Sequence, residues 1–426
     1  MKISRKAFLR TGIFASAAFG LSRLNTLSAP ASFPALNLSN SVTDANDESF
    51  WKEIRAQFCT STNLINLNNA ALSPQPVVVQ QEHYRNDQYS NEGPSYFMWE
   101  KLDSQRENLR NKLAIIAGCE ANEIAISRNA TEALNSIIYG IDLKRGDEVV
   151  LSDMDYPFMI NAWKQRAQRE GIQLKFVALN SPEKSDRDII KKYKTAISPN
   201  TKVLHLTHMI NWNGQILPVE KLVKMAHKYG CKVIVDAAHS FGHLPHSIRK
   251  LNADYYAASL HKWMCSPFGT GLLHIKKENI SNTWPLHSAY DPKSDDIRKF
   301  EFLGSRSFAA EMTIAKALEF HEQIGTEIKY KRLSLLKNYW IDQVSDLKDF
   351  ELKSPACSMY EGGAIAAFSL KNVSVDTIVE QLIKKYKIHV GKVNLPNLKA
   401  VRISPHIYTS KKELDILAKA IKELHV

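Results

Sequence analysis

At 426 residues the chain exceeds what one hydrophobic core serves, about 250–300 residues, so two domains are expected. With 44% hydrophobic and 23% charged residues the composition is that of a globular protein, and no apolar run approaches the ~20 residues of a membrane span. A net charge of +12 raises nucleic acid as a partner, but no basic stripe with interleaved aromatics accompanies it, which argues against that class.

Five of the positive charges (Lys2, Arg5, Lys6, Arg10, Arg23) fall in the first 30 residues, which hold no Asp or Glu. The basic stretch Ser4–Arg10 precedes a short apolar run, Thr11–Phe19, and small residues follow around Ala29–Pro30–Ala31. That is the layout of a secretory signal over residues 1–31, too short for a transmembrane helix. Arg5–Lys6 followed by Phe8–Leu9–Arg10 resembles a twin-arginine signal, with lysine in the second place of the pair. Periplasmic export is the expectation, and an N-terminal arm on a cytoplasmic enzyme is the alternative. Residues 32–61 read as a linker and N-terminal segment, with a short helix at Phe50–Phe58.

From Val77 to Ile116 the pattern is helical, interrupted by the turn-rich Asn91–Ser95. Short apolar runs then alternate with helical segments. Strands are expected at Glu123–Ser127, Asp147–Leu151, Leu174–Ala178, Lys202–Leu206, Lys232–Val235, Tyr255–Ser259 and Gly271–Ile275. Helices start at Thr131 and run over Ile160–Glu170. This rhythm gives an α/β domain over 62–300, a mostly parallel sheet with helices on both faces. Beyond residue 300 come long helices (Ala309–Gln323, Lys329–Lys348), a strand at Ala364–Leu370 and a last helix after Thr409. They form a smaller α+β domain over 301–426.

Polar residues gather at the strand ends, where α/β folds place ligands. Asp236 ends one strand, and Ser259–Leu–His261–Lys262 follows the next. A lysine free to form a covalent bond and an acid for a ring nitrogen suit pyridoxal phosphate, and a buried lysine without a use is costly. Arg128–Asn135 follows a strand and opens a helix; Thr131 as its cap leaves free N–H groups for a phosphate, or is the helix turn of any α/β protein. Tyr156 ends a strand, as a ring-stacking group or a turn tyrosine. Asn211 is a partner for a ring hydroxyl or part of a polar loop. His239, His243 and His246 mimic a metal set, but Gly242 and Pro245 break any continuous helix between them, and no metal is expected. The five cysteines form no CxxC and read as isolated thiols.

These segments, in this order from about residue 62 to 425, resemble the class V (fold-type I) pyridoxal-phosphate enzymes, in particular an isopenicillin N epimerase-like branch. The resemblance implies that Lys262 bonds the cofactor, Asp236 pairs with its ring nitrogen and Tyr156 stacks on the ring. Asn211 and His239 would lie near the ring hydroxyl. Ala130, Thr131, Ser259 and His261 would hold the phosphate. Gly304–Ser305–Arg306 resembles the family's Gly-Thr-Arg segment, so Ser305 would reach the phosphate of the neighbouring subunit in a homodimer. Arg402 would hold the carboxylate of a small amino substrate, a role its planar fork suits. Desulfurases of the family carry a cysteine shortly before that arginine; residues 385–401 contain none, so persulfide chemistry is not expected. Aminotransferase is the first expectation, with epimerase and C–S lyase as alternatives and a non-catalytic cofactor-binding protein as the rival from another class.

Overall fold

The computed structural model describes residues 44–359 and 361–424; the basic leader at 1–31 lies outside the described residues. Strands in chain order are β1 (Ile65–Asn66), β2 (Ile124–Ser127), β3 (Glu148–Ser152), β4 (Gln173–Val177), β5 (Thr201–Thr207), β6 (Lys232–Asp236), β7 (Tyr255–Ser259) and β8 (Gly271–Ile275). β9 (Phe350–Leu352), β10 (Ala366–Leu370), β11 (Ile388–His389), β12 (Gly391–Leu395) and β13 (Leu398–Ile403) follow. The longer helices are α1 (Glu48–Ala56), α2 (Val77–Asn91), α3 (Arg106–Ala117), α4 (Ala130–Gly140), α5 (Pro157–Glu170), α6 (Asp186–Ala196) and α7 (Val219–Lys228). The C-terminal region adds α8 (Ala309–Ile324), α9 (Thr326–Asp342), α10 (Val375–Tyr386) and α11 (Lys411–Leu424).

Seven strands make the large sheet in the order β2-β8-β7-β6-β5-β3-β4. Neighbours run parallel from β7 through β4, and only β8 is antiparallel to both its partners. Side chains alternate between the faces of a strand, so a sheet covered on both sides needs apolar residues at every position. The runs satisfy this. On β6, Val233 and Val235 enter one core and Ile234 the other; on β7, Tyr256 and Ala258 face one and Tyr255 and Ala257 the other. Each such burial contributes about 1.5–3 kcal/mol for a Val or Ile side chain.

A second sheet, β12-β13-β10-β9, is antiparallel throughout and has its own core with Trp340, Phe368 and Ile421. The parallel pairing of β1 with β11 ties residues 65–66 to this C-terminal part. Leu67 enters the same core. Residues 68–72 therefore run beside β13: the Asn69 amide donates to the Ser404 carbonyl at 2.9 Å, and the Ala70 N–H donates to Ser404 Oγ at 3.0 Å. Among the described residues no helix is long and apolar enough to cross a membrane.

Candidate active site

Parallel strands bring their carboxyl ends to one edge of the large sheet, and the loops that leave this edge line a cavity of about 430 Å³. Ala130, Thr131, Tyr156, Asn211, Asp236, His239, Ser259, His261, Lys262 and Arg402 all line it. Ten of the eleven residues singled out in the sequence thus meet in one place. Ser305 does not line this cavity; it is exposed, in a segment between Glu301 and α8.

At the head of α4 the cap is Asn129, whose side chain accepts from the Glu132 N–H at 2.8 Å. Thr131, expected as the cap, lies inside the first turn instead. Asn129 has the extended backbone a cap needs and is among the preferred cap residues, so it takes the role one step earlier. The Ala130 N–H is turned to Ser259 Oγ at 3.0 Å. Close packing enforces this: a Cβ on Gly271 would stand 2.6 Å from the Asn129 Cα and 2.7 Å from Ser127 Oγ. Tyr156 precedes Pro157 at the start of α5, and proline pre-set for a first helical turn stops the tyrosine at the crest.

Lys262 is half-buried, with its Nζ 3.0 Å from His239 Nε2. Burial lowers its ammonium to about 8; Asp236 pulls it up and Arg402 pushes it down. Burial also raises the Asp236 carboxyl, against the Ala238 N–H it accepts at 2.9 Å and the attraction of Lys262. Desolvation thus outweighs the mutual attraction of the pair, and both lean towards neutrality. Burial holds His261 down at about 4 and His239 well below the usual imidazole range, so both are neutral near pH 7. Arg402, on β13, donates from Nη1 to the Asn211 carbonyl and from Nη2 to Asn68 Oδ1, both at 2.9 Å.

The turn after Lys262 is held by His243 and by residues that the sequence alone did not single out, His406 and Lys329. Trp263 lies between His243, at 3.9 Å between ring centres, and His406, stacked at 5.3 Å and 6°. The buried Lys329 ammonium donates to the Trp263 carbonyl. Cys265 is a buried packing thiol with a left-handed backbone (φ 55°) and its sulfur 3.6 Å from His406 Nε2. Cys231 is buried too, Cys119 half-buried, and Cys59 and Cys357 are exposed; none lines the cavity. Among the described residues no group of three or more His, Cys, Asp and Glu side chains is placed to hold a metal ion. His243 instead donates or accepts at backbone groups of His239 and Ala364.

The cavity's chemistry fits pyridoxal phosphate. Five buried polar atoms of its lining, His239 Nδ1, His261 Nδ1, Asn211 Oδ1, Trp212 Nε1 and Arg402 Nε, have no hydrogen-bond partner among the described residues. Buried polar groups are almost always paired, and a polar ligand in this cavity would pair these. An amine and a carboxyl are present for the aldehyde and the ring nitrogen, and a helix start with two polar side chains for the phosphate.

Comparison with known proteins agrees with this chemistry. The family model described as Aminotransferase class-V matches residues 65–417. The chain is similar to the isopenicillin N epimerase of Streptomyces clavuligerus, 24% identical over 88% of this chain and 98% of that protein. It is similar to a probable cysteine desulfurase of Synechocystis, 28% identical over 84% and 90% of the two chains. Among solved structures, a lysine-to-alanine variant of C-DES with glycine covalently linked to its PLP cofactor superposes with a TM-score of 0.77. That pair is 21% identical and the match covers 86% of this chain and 98% of that one, which identifies the fold.

Proposed function

The chain belongs to the class V aminotransferase family of pyridoxal-phosphate enzymes, and from that premise we propose that it is an aminotransferase acting at the α-carbon of an amino acid. When bound, pyridoxal phosphate supplies the electron sink for the bond that breaks at that carbon. In this reading Lys262 would hold the cofactor through its aldehyde, and its amine would be the group that carries the Cα proton. Asp236 would hold the proton of the ring nitrogen, Tyr156 would cover the ring, and Asn211 and His239 would bind the ring hydroxyl. Ala130, Thr131, Ser259 and His261 would hold the phosphate, and Arg402 would receive the substrate carboxylate. The observation that carries the proposal is the meeting of Lys262, Asp236 and Arg402 in one cavity. A single amine that takes a proton and returns it on its own side suits amino-group transfer.

Epimerisation is the second reading, favoured by the similarity to isopenicillin N epimerase along nearly the whole length. It needs a second proton donor, and the Tyr156 phenol, raised by burial, is the candidate in the lining. Persulfide-forming desulfurase chemistry is disfavoured because no cysteine lines the cavity. Incubation with amino acids in deuterated buffer separates the readings: keto-acid formation supports transamination, and Cα exchange without keto acid overturns it in favour of epimerisation. A visible absorbance band unchanged in Lys262→Ala would refute the role of that lysine.

Two further parts of the proposal concern the protein's setting. We propose a homodimer in which Ser305 serves the neighbouring site, and periplasmic export directed by residues 1–31. A periplasmic protein whose sequence still begins at Met1 would contradict cleavage of the leader.

A further inference from the structure

We infer that the substrate is an amino acid with an uncharged side chain; this rests on the proposed function, in which Arg402 takes the α-carboxylate. Arg402 is already tied at both terminal nitrogens, to the Asn211 carbonyl and to Asn68 Oδ1, so the guanidinium has one fixed orientation and capacity for one carboxylate. The residues flanking it follow from the same contacts. The segment 68–72 runs along β13 through the hydrogen bonds to Ser404, which puts Ala70, Ala71 and Leu72 at that end of the cavity. Trp212, next to Asn211, forms another part of the wall. All four are uncharged.

Every ionisable group in the lining already has a task. Asp236, Lys262, His239, His261 and Tyr156 serve the cofactor, and Arg402 the carboxylate. Both histidines are neutral near pH 7, so neither offers a charge to a substrate. Arg128, the nearest cation along the chain to the phosphate end, is exposed and paired with Glu132. A second carboxylate or an ammonium on the substrate would meet no counter-charge among these lining residues, and buried Ala70 with exposed Ala71 and Leu72 (52% accessible) offers it apolar contact and no polar side chain. An aliphatic or thioether side chain gains from the same walls.

Calorimetry on the cofactor-loaded protein tests this with pairs of similar length: L-methionine against L-glutamate, and L-norleucine against L-2-aminoadipate. The neutral member should bind at least about tenfold more tightly in each pair. Leu72→Arg should strengthen glutamate binding about tenfold relative to methionine, a gain that a misfolded variant does not show. Wild-type protein that binds glutamate or aminoadipate as tightly as its neutral counterpart overturns the inference and leaves the proposed function standing. Binding of none of the four, by protein whose visible band depends on Lys262, counts against amino-acid chemistry as a whole and the inference falls with it.

Discussion

Burial holds the Lys262 ammonium at about 8, and an amine must be neutral to bond an aldehyde. At pH 7 about one lysine in ten is neutral, because one pH unit is a factor of ten. The rate at which cofactor-free protein captures added pyridoxal phosphate should therefore climb about tenfold per unit up to pH 8 and level off above it. Arg402 is one of the groups that push the lysine down, so Arg402→Met should move the midpoint to higher pH. Stopped-flow absorbance across pH 6–9 measures both, and a flat profile would refute the assignment. Gly391 makes a second claim at this scale. It stands opposite Arg402 in the β12–β13 register, and a Cβ there would lie 2.9 Å from Arg402 Nε and 3.0 Å from Asn68 Oδ1. Its φ is not positive, so alanine strains the guanidinium rather than the backbone. Gly391→Ala should weaken binding of a competent amino acid by roughly tenfold, the cost of displacing one charge-assisted contact, with cofactor content unchanged.

At the scale of elements, α4 shows how a cap serves both stability and binding. Asn129 satisfies the Glu132 N–H and leaves the first turn beside Ser259 and the cavity. Asn129→Ala should lower stability by about 1 kcal/mol in urea unfolding, the usual worth of a cap. It should also raise the dissociation constant for pyridoxal phosphate, since the freed helix start frays where the phosphate would sit. Loss of stability with unchanged cofactor affinity would remove α4 from the phosphate site. The strands of the large sheet were legible in the sequence because buried parallel strands are short, continuous apolar runs: Tyr255–Ser259 and Gly271–Ile275 are found with the expected bounds. The C-terminal sheet was less so. Gly391–Leu395 and Leu398–Ile403 carry lysines at their exposed positions (Lys392, Lys399), and such half-solvated antiparallel strands dilute the apolar signal. The helical pattern over Val77–Ile116, with its one interruption, does not show that the structure divides it into α2, a π-helical Tyr96–Leu102 and α3. The site's polar residues were legible from their places at strand ends. The supports beneath them were not, since Lys329 and His406 reach Trp263 from segments 66 and 143 residues away, and no local pattern encodes such contacts.

For the whole molecule, the placement of Ser305 is the fact to be explained. The segment that carries it is anchored where it starts: Glu301 is buried, pairs with Arg110 at 2.7 and 3.0 Å and accepts the Ile126 N–H at 2.7 Å. Arg306 is paired with Glu311 at 2.6 Å. Between these anchors Ser305 is exposed and does not line its own chain's cavity, which is the placement the proposed contact with a neighbouring copy requires. Aromatic side chains are exposed nearby in sequence, with Tyr290 95% accessible against a Phe302 that is itself 43% accessible. Exposed aromatic groups of this kind mark association surfaces. The prediction is complementation. In the proposed homodimer a Lys262→Ala pair would have no competent site, and a Ser305→Asp pair would place a carboxylate against each phosphate. In a mixed dimer one site combines Lys262 from one protomer with Ser305 from the other, so refolding the two variants together should restore about a quarter of wild-type activity from statistical pairing, where half the dimers are mixed and each has one good site. Equal mixtures that stay as inactive as their parents, with mixed dimers confirmed by tagged co-purification, would place Ser305 outside the neighbouring site. A molecule that sediments as a monomer would remove the shared-site arrangement altogether, and Arg402, Asp236 and Lys262 would then act within one chain.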